Sequence, residues 1–220
     1  MLGTMFVENS EAIQPAERVI GLLQLPEHSE NVYAQALKGP VVLGQVEVER
    51  RDGYVTSAVF RLQSAGAPET AEKLATLEIG YEAPAMIVHE RSGNWFRVEL
   101  PEKSGWVDRS NVSDSFAAYP ELLAGNLSYL REEWDGRLWS GPAATSPKPL
   151  PLEWLRVPSR EFPIRFLEAR RVGADLWLHV RIDAAEGCSL QEERLPAIDG
   201  WLVAYQPSGK TSAWFYSRGC

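Results

Sequence analysis

The chain has 220 residues, 45% of them hydrophobic and 24% charged, with a formal net charge of −8 and an isoelectric point near 5.0. This length accommodates one large or two small cores, and the composition is that of a folded globular chain, which excludes disorder as the default. The acid excess argues against nucleic acid or an anionic membrane surface as partner, because neither association gains from counterion release here, and no apolar run of about 18 residues is present to cross a bilayer.

Residues 1–17 read as a polar arm punctuated by Pro15. Residues 18–25 form a strand ended by Pro26, and 31–35 a second strand containing Val32 and Tyr33. Residues 41–48 then lead through the hairpin signal Asp52-Gly53 into 54–62, a run rich in β-branched and aromatic residues. A single helical turn is expected over 69–74, where Pro68 suits a helix start. Residues 76–82 alternate and return the chain to strand, and 85–90 lead into Arg91-Ser92-Gly93-Asn94-Trp95. From there Trp95, Arg97 and Glu99 fall on one face of a strand and Phe96, Val98 and Leu100 on the other, because side chains alternate along an extended backbone. A charged turn follows, then Ser104-Gly105-Trp106-Val107.

Residues 113–133 change in texture. Tyr119, Leu122, Leu123, Leu127 and Leu130 make an apolar stripe at helical spacing, broken near Gly125, and read as a short helical connector packed between domains, since a solvated linker needs no such stripe. Trp134-Asp135-Gly136-Arg137-Leu138-Trp139 opens a second unit with a turn and an aromatic strand. The Pro-rich run 146–151 is an extended loop, 164–170 a strand, and 171–182 repeats turn, aromatic and alternating strand, with His179 near its end. Gly200-Trp201-Leu202-Val203 then stands where Gly105-Trp106-Val107 stood, after an insertion over 183–198 that carries Cys188, and 212–217 closes the sheet.

The pattern Trp95-Phe96-Arg97-Val98 followed by Gly105-Trp106-Val107-Asp108-Arg109-Ser110-Asn111-Val112 resembles the second half of a bacterial SH3-like domain. With its downstream echo, the resemblance implies an all-β protein of two SH3-like small barrels: an elaborated one over 18–112, the helical connector over 113–133, and a second barrel with an insertion over 134–220. It also implies a non-catalytic binding or adaptor protein of the bacterial cell envelope. Such a protein would recognise a peptide, a cell-wall stem peptide or a partner protein through aromatic grooves or the cleft between domains. In SH3-like domains the Trp after the turn and an aromatic of the first strand border the ligand groove, which designates Trp95 and Tyr33. The other aromatics in strands, together with Asn111, complete the expected binding set: Trp106, Trp139, Trp177 and Trp201.

Export and cytoplasmic residence both stay open, because residues 1–10 are too short and acidic for a secretory signal while many SH3-like proteins are envelope proteins. Cys188 and Cys220, the two cysteines, permit one disulfide or two free thiols. The rival reading is a cell-wall cysteine hydrolase built on Cys188 and His179; against it, Cys188 lies in an insertion rather than at a helix start. A third reading is a purely structural adaptor. His28, His89 and His179 show no metal-ligand spacing and no Gly-rich phosphate loop is present, so neither a metal nor a cofactor is expected. Eight Trp and seven Tyr are the chief chemical resource, as core or as a recognition surface.

Overall fold

A computed structural model describes residues 18–36, 41–63, 70–110, 115–150, 162–182 and 196–217. The protein is nearly all β. Its first sheet is built from β1 (Gly21–Gln24), β2 (Glu30–Tyr33), β3 (Val42–Arg51), β4 (Tyr54–Leu62), β5 (Ala71–Lys73), β6 (Thr76–Gly80), β7 (Ala83–Ser92), β8 (Trp95–Glu99), β9 (Ser104–Asp108) and β10 (Phe116–Ala118). A six-residue helix, α1 (Tyr119–Ala124), follows. The second sheet holds β11 (Ser128–Leu130), β12 (Leu138–Trp139), β13 (Pro147–Lys148), β14 (Pro163–Val172), β15 (Asp175–Ile182), β16 (Ile198–Val203) and β17 (Ala213–Phe215).

Strand order in the first sheet is β10-β1-β7-β8-β9-β2-β3-β4-β5, with β6 added beside β7; in the second it is β13-β12-β16-β15-β14-β11-β17. Read in the opposite direction, the second order matches β10-β1-β7-β8-β9-β2-β3 strand for strand, and the chain visits both sets in the same sequence. The protein is therefore one seven-strand pattern laid down twice, with β4, β5 and β6 inserted into the first copy.

The repetition reaches individual residues. A β-bulge in β7 separates the pairs Val88 with Val98 and Glu90 with Arg97, and a bulge in β14 separates Phe166 with Val180 and Glu168 with His179. Across the next seam Arg97 faces Trp106 and His179 faces Trp201, and across the one after that Trp106 faces Tyr33 and Trp201 faces Trp139. Gly105 and Gly200 serve the same purpose. A Cβ on Gly105 would lie 2.4 Å from Val32 Cγ1 and one on Gly200 3.1 Å from Leu138 Cβ, so the absent side chain lets β2 and β12 close against β9 and β16.

The turns follow their sequence signals. Asp52 and Gly53 both take positive φ, at 53° and 88°, as a two-residue hairpin turn requires, and Gly93 and Gly173 turn the two central hairpins at φ 60°. Two expectations are corrected. Residues 71–73 are the edge strand β5 paired with β4 rather than a helical turn, because the backbone of 71–73 completes the ladder left open beside Val59, Phe60 and Arg61. The helical connector shrinks to α1: Phe116 to Ala118 pair with β1, and Ser128 to Leu130 pair with β14 and β17, so strand ladders capture both flanks of the apolar stripe.

Two cores result. One lies within the first sheet and contains Leu23, Val32, Val46, Phe60, Met86, Val88, Phe96, Val98 and Val107. The other joins Leu22, Ala85 and Ile87 of the first sheet to Tyr119, Leu122 and Leu123 of α1 and to Leu130, Leu138, Leu178, Val180, Ile182 and Leu202 of the second. Strands β1 and β7 are thus buried on both faces, which explains why Ala85-Met86-Ile87-Val88 is a continuous apolar run rather than an alternating one.

Candidate functional site

In each copy the strand faces turned away from these cores carry the aromatic residues designated from sequence. On β8 and β9, Phe96, Val98 and Val107 point into the core, so Trp95, Arg97, Trp106 and Asp108 project from the opposite face, and Tyr33 joins them because its neighbour Val32 is buried inward. Tyr33 and Trp95 meet edge to face, with ring centroids 5.4 Å apart and planes at 75°. All three aromatics are half-buried. Arg97 donates from Nε to Glu90 at 3.0 Å and from Nη1 to Ser104 Oγ at 3.1 Å, which holds its guanidinium along the sheet beside Trp106. Asp108 takes hydrogen bonds from the backbone N–H and the hydroxyl of Ser110.

The second copy repeats this arrangement with different fill. Leu178, Val180 and Leu202 point inward, leaving Trp177, His179 and Trp201 on the outer face with Trp139. Trp139 meets Trp177 edge to face at 6.1 Å and 87°, the counterpart of the Tyr33 and Trp95 contact. Here the face is closed by its own residues. The His179 imidazole lies flat on Trp201, 4.8 Å between centroids and 6° between planes, and the Arg170 guanidinium carbon stands 5.1 Å from the centre of the Trp201 ring. Trp177 and Trp201 are accordingly 7% and 6% exposed although they leave the core side of the sheet.

Six of the seven residues designated from sequence therefore gather as two equivalent triads, Tyr33 with Trp95 and Trp106, and Trp139 with Trp177 and Trp201. Asn111 and Cys188 lie outside the described residues. The described partners of His179 are Trp201, stacked upon it, and Glu168, whose Oε1 lies 3.8 Å from Nδ1.

No family model matches the chain. No solved structure matches it either. Over 104 residues, 46% of its length, the chain is 31% identical to UvrABC system protein B of Chlamydia pneumoniae, and over 104 residues 28% identical to the protein of the same name from Chlamydia abortus. It spans 16% of the length of each.

Beside the first triad sits a feature that spacing did not reveal. Arg109, 7% exposed, follows β9 and reaches back to the ends of two other strands: Nη2 donates to the Gln24 carbonyl at 2.9 Å and lies 3.0 Å from Glu30 Oε2, and its backbone N–H donates to the Asn94 carbonyl. Among the described residues Arg109 Nε has no hydrogen-bond partner, and the Glu30 Oε2 oxygen faces Nη2 without hydrogen-bond alignment. Burial pushes the Glu30 carboxyl up to about 7, because lost hydration outweighs the attraction of Arg109, and Asp108 adds repulsion. Sequence reasoning also missed an open cleft of about 580 Å³ between the tip of the β3 and β4 hairpin and the β6 and β7 turn, lined by Arg51, Asp52, Tyr54, Glu78 and Glu82. It forms where two hairpin tips distant in sequence approach, so no local pattern marks it.

At the junction of the two sheets the aromatics pack against one another. Tyr119 is fully buried, donates its hydroxyl to the Ala213 carbonyl at 2.6 Å and stacks on Trp214 at 5.6 Å, while Tyr205 donates to the Val19 carbonyl at 2.9 Å under the Arg18 guanidinium. Burial pushes the Tyr119 phenol far up and that of Tyr205 to about 12, so both remain donors at ordinary pH.

Proposed function

We propose that this is a non-catalytic binding protein of the bacterial cell envelope, built from two SH3-like units and recognising a peptide, of the cell-wall stem type or from a partner protein, through the outer aromatic face of the first unit. The carrying observation is the edge-to-face pair of Tyr33 and Trp95, half-buried on the side of the sheet that faces away from the core. Large aromatics that the core does not use are the residues that dominate recognition surfaces, because they offer wide contact at low conformational cost. The resemblance of Trp95-Phe96-Arg97-Val98 and of residues 105–112 to the second half of a bacterial SH3-like domain, in which the Trp after the turn borders the ligand groove, supports the same face. So does the acidic charge of the chain, which favours amine-bearing peptides over phosphate-bearing polymers.

The test uses a synthetic stem pentapeptide carrying a free amine, titrated into the full chain and into Trp95→Ala. Binding lost in the variant with an unfolding midpoint close to that of the parent supports the proposal. A midpoint that collapses with the loss assigns Trp95 to the fold, and undiminished binding by the variant removes this face from the reading.

A further inference from the structure

The two triads are equivalent by register, yet one is open and the other is filled from within. The cation that fills the second is a side chain of the protein itself. Arg170 belongs to the strand facing Trp177, its partner across the ladder, and sends its guanidinium along the sheet to the Trp201 ring. The residue at the equivalent place in the first copy is Ser92, the ladder partner of Trp95. Serine is too short to reach Trp106, and among the described residues no cation stands over the Trp106 ring as Arg170 stands over Trp201.

From this asymmetry we infer that the face formed by Tyr33, Trp95 and Trp106 takes a cationic side chain of the bound peptide, a guanidinium or an ammonium, and that Arg170 is the built-in counterpart that closes the second face. This rests on the peptide-binding reading and names the group that the peptide presents. Three observations converge. An aromatic face attracts a cation through its ring quadrupole, and the protein realises that contact at Trp201. The charges around the first face do not oppose it: Arg97 is neutralised by Glu90 at 3.0 Å, and Asp108 projects from the same side of β9 as Trp106. The net charge of −8 draws cations toward the surface before contact. In the second copy His179, in the place of Arg97, lies flat on Trp201, so the face is covered from two directions and Trp201 is 6% exposed.

The experiment uses acetylated, amidated pentapeptides that differ only at their central residue, Arg, Lys, citrulline or Glu, titrated calorimetrically into the full chain and into Arg170→Ala. Arg170 is more than half exposed, so its truncation leaves the core intact. The Arg and Lys peptides should bind the parent about two- to fivefold more tightly than the citrulline peptide, the size of a cation over a partly exposed ring, with the Glu peptide weakest. The stoichiometry of the Arg peptide should rise from one to two in Arg170→Ala. Equal affinity for Arg and citrulline peptides, with binding abolished by Trp95→Ala, overturns the cation and leaves peptide binding standing. A stoichiometry unchanged in Arg170→Ala overturns its role as counterpart. Absence of binding by all four peptides overturns the inference together with the reading beneath it.

Discussion

At the scale of single residues, burial separates aromatics that hold the fold from those free to do something else. Trp177 is 7% exposed and wedged against Trp139, so Trp177→Ala should cost about 3–5 kcal/mol, whereas Trp95→Ala, truncating a half-buried ring, should cost clearly less; paired urea unfolding curves check the difference. Tyr119→Phe keeps the ring stack on Trp214 but leaves the buried Ala213 carbonyl without its donor, for an expected loss of about 1–3 kcal/mol by the same measurement. Glu30 gives a pH signature. Its carboxyl titrates near 7 in the folded protein against an ordinary 4.5, so folding favours the protonated form; the stability this contributes is complete below the ordinary value and is lost as pH rises toward and through 7. The parent should therefore lose up to about 3 kcal/mol relative to Glu30→Gln between about pH 4.5 and 8, and then run parallel to it. A constant difference across that range would mean that Glu30 is not the titrating group. The Glu30 signature was not visible in spacing, because Glu30 and Arg109 are distant in sequence and meet only when β2 closes on the end of β9.

At the scale of elements, what the sequence made legible was the strand hairpin, and what it hid was anything decided by pairing partners. Alternation in 95–100, the turn residues at Asp52-Gly53 and Gly93, and the small residue before each of Trp106 and Trp201 all correspond to strands and turns in the structure. Of the stripe over 119–130, Tyr119, Leu122 and Leu123 lie buried on α1 as the spacing predicts, whereas Leu130 falls in a strand, because Leu at intervals of three to four also suits a short strand that finds a ladder. Residues 116–118 and 128–130 found one beside β1, and beside β14 and β17, respectively. The triads were half legible: their members were named from residue type and motif, but their assembly required the registers of β2 with β9 and of β12 with β16. The first of these registers depends on Gly105, the second on Gly200. A methyl group at Gly105 would meet Val32 at 2.4 Å, so Gly105→Ala should destabilise by about 1–3 kcal/mol and disturb the Tyr33 and Trp95 contact, seen as a loss of near-ultraviolet aromatic dichroism.

At the scale of the whole molecule, the repeat and the shared core pull in different directions. Duplication gives two copies of one sheet pattern, but Leu22, Ala85 and Ile87 of the first sheet are buried in the same cluster as Leu130, Leu178 and Leu202 of the second, with Tyr119, Leu122 and Leu123 between them. Strands β1 and β7 would expose that face if the second sheet let go, so unfolding should be a single cooperative transition by calorimetry; two resolved transitions would show that the copies fold independently. The shared core ties the two sheets together, and among the described residues the first aromatic face is the less covered, with Tyr33, Trp95 and Trp106 half-buried where Trp177 and Trp201 are buried, so the proposed peptide contact belongs to the first. Labelling the eight tryptophans with 5-fluorotryptophan, assigning their fluorine resonances by substitution and titrating the Arg pentapeptide tests this most directly. Binding at the first face moves the Trp95 and Trp106 resonances with peptide while those of Trp139, Trp177 and Trp201 stay in place. Movement confined to the second triad, or no movement in either, would contradict it.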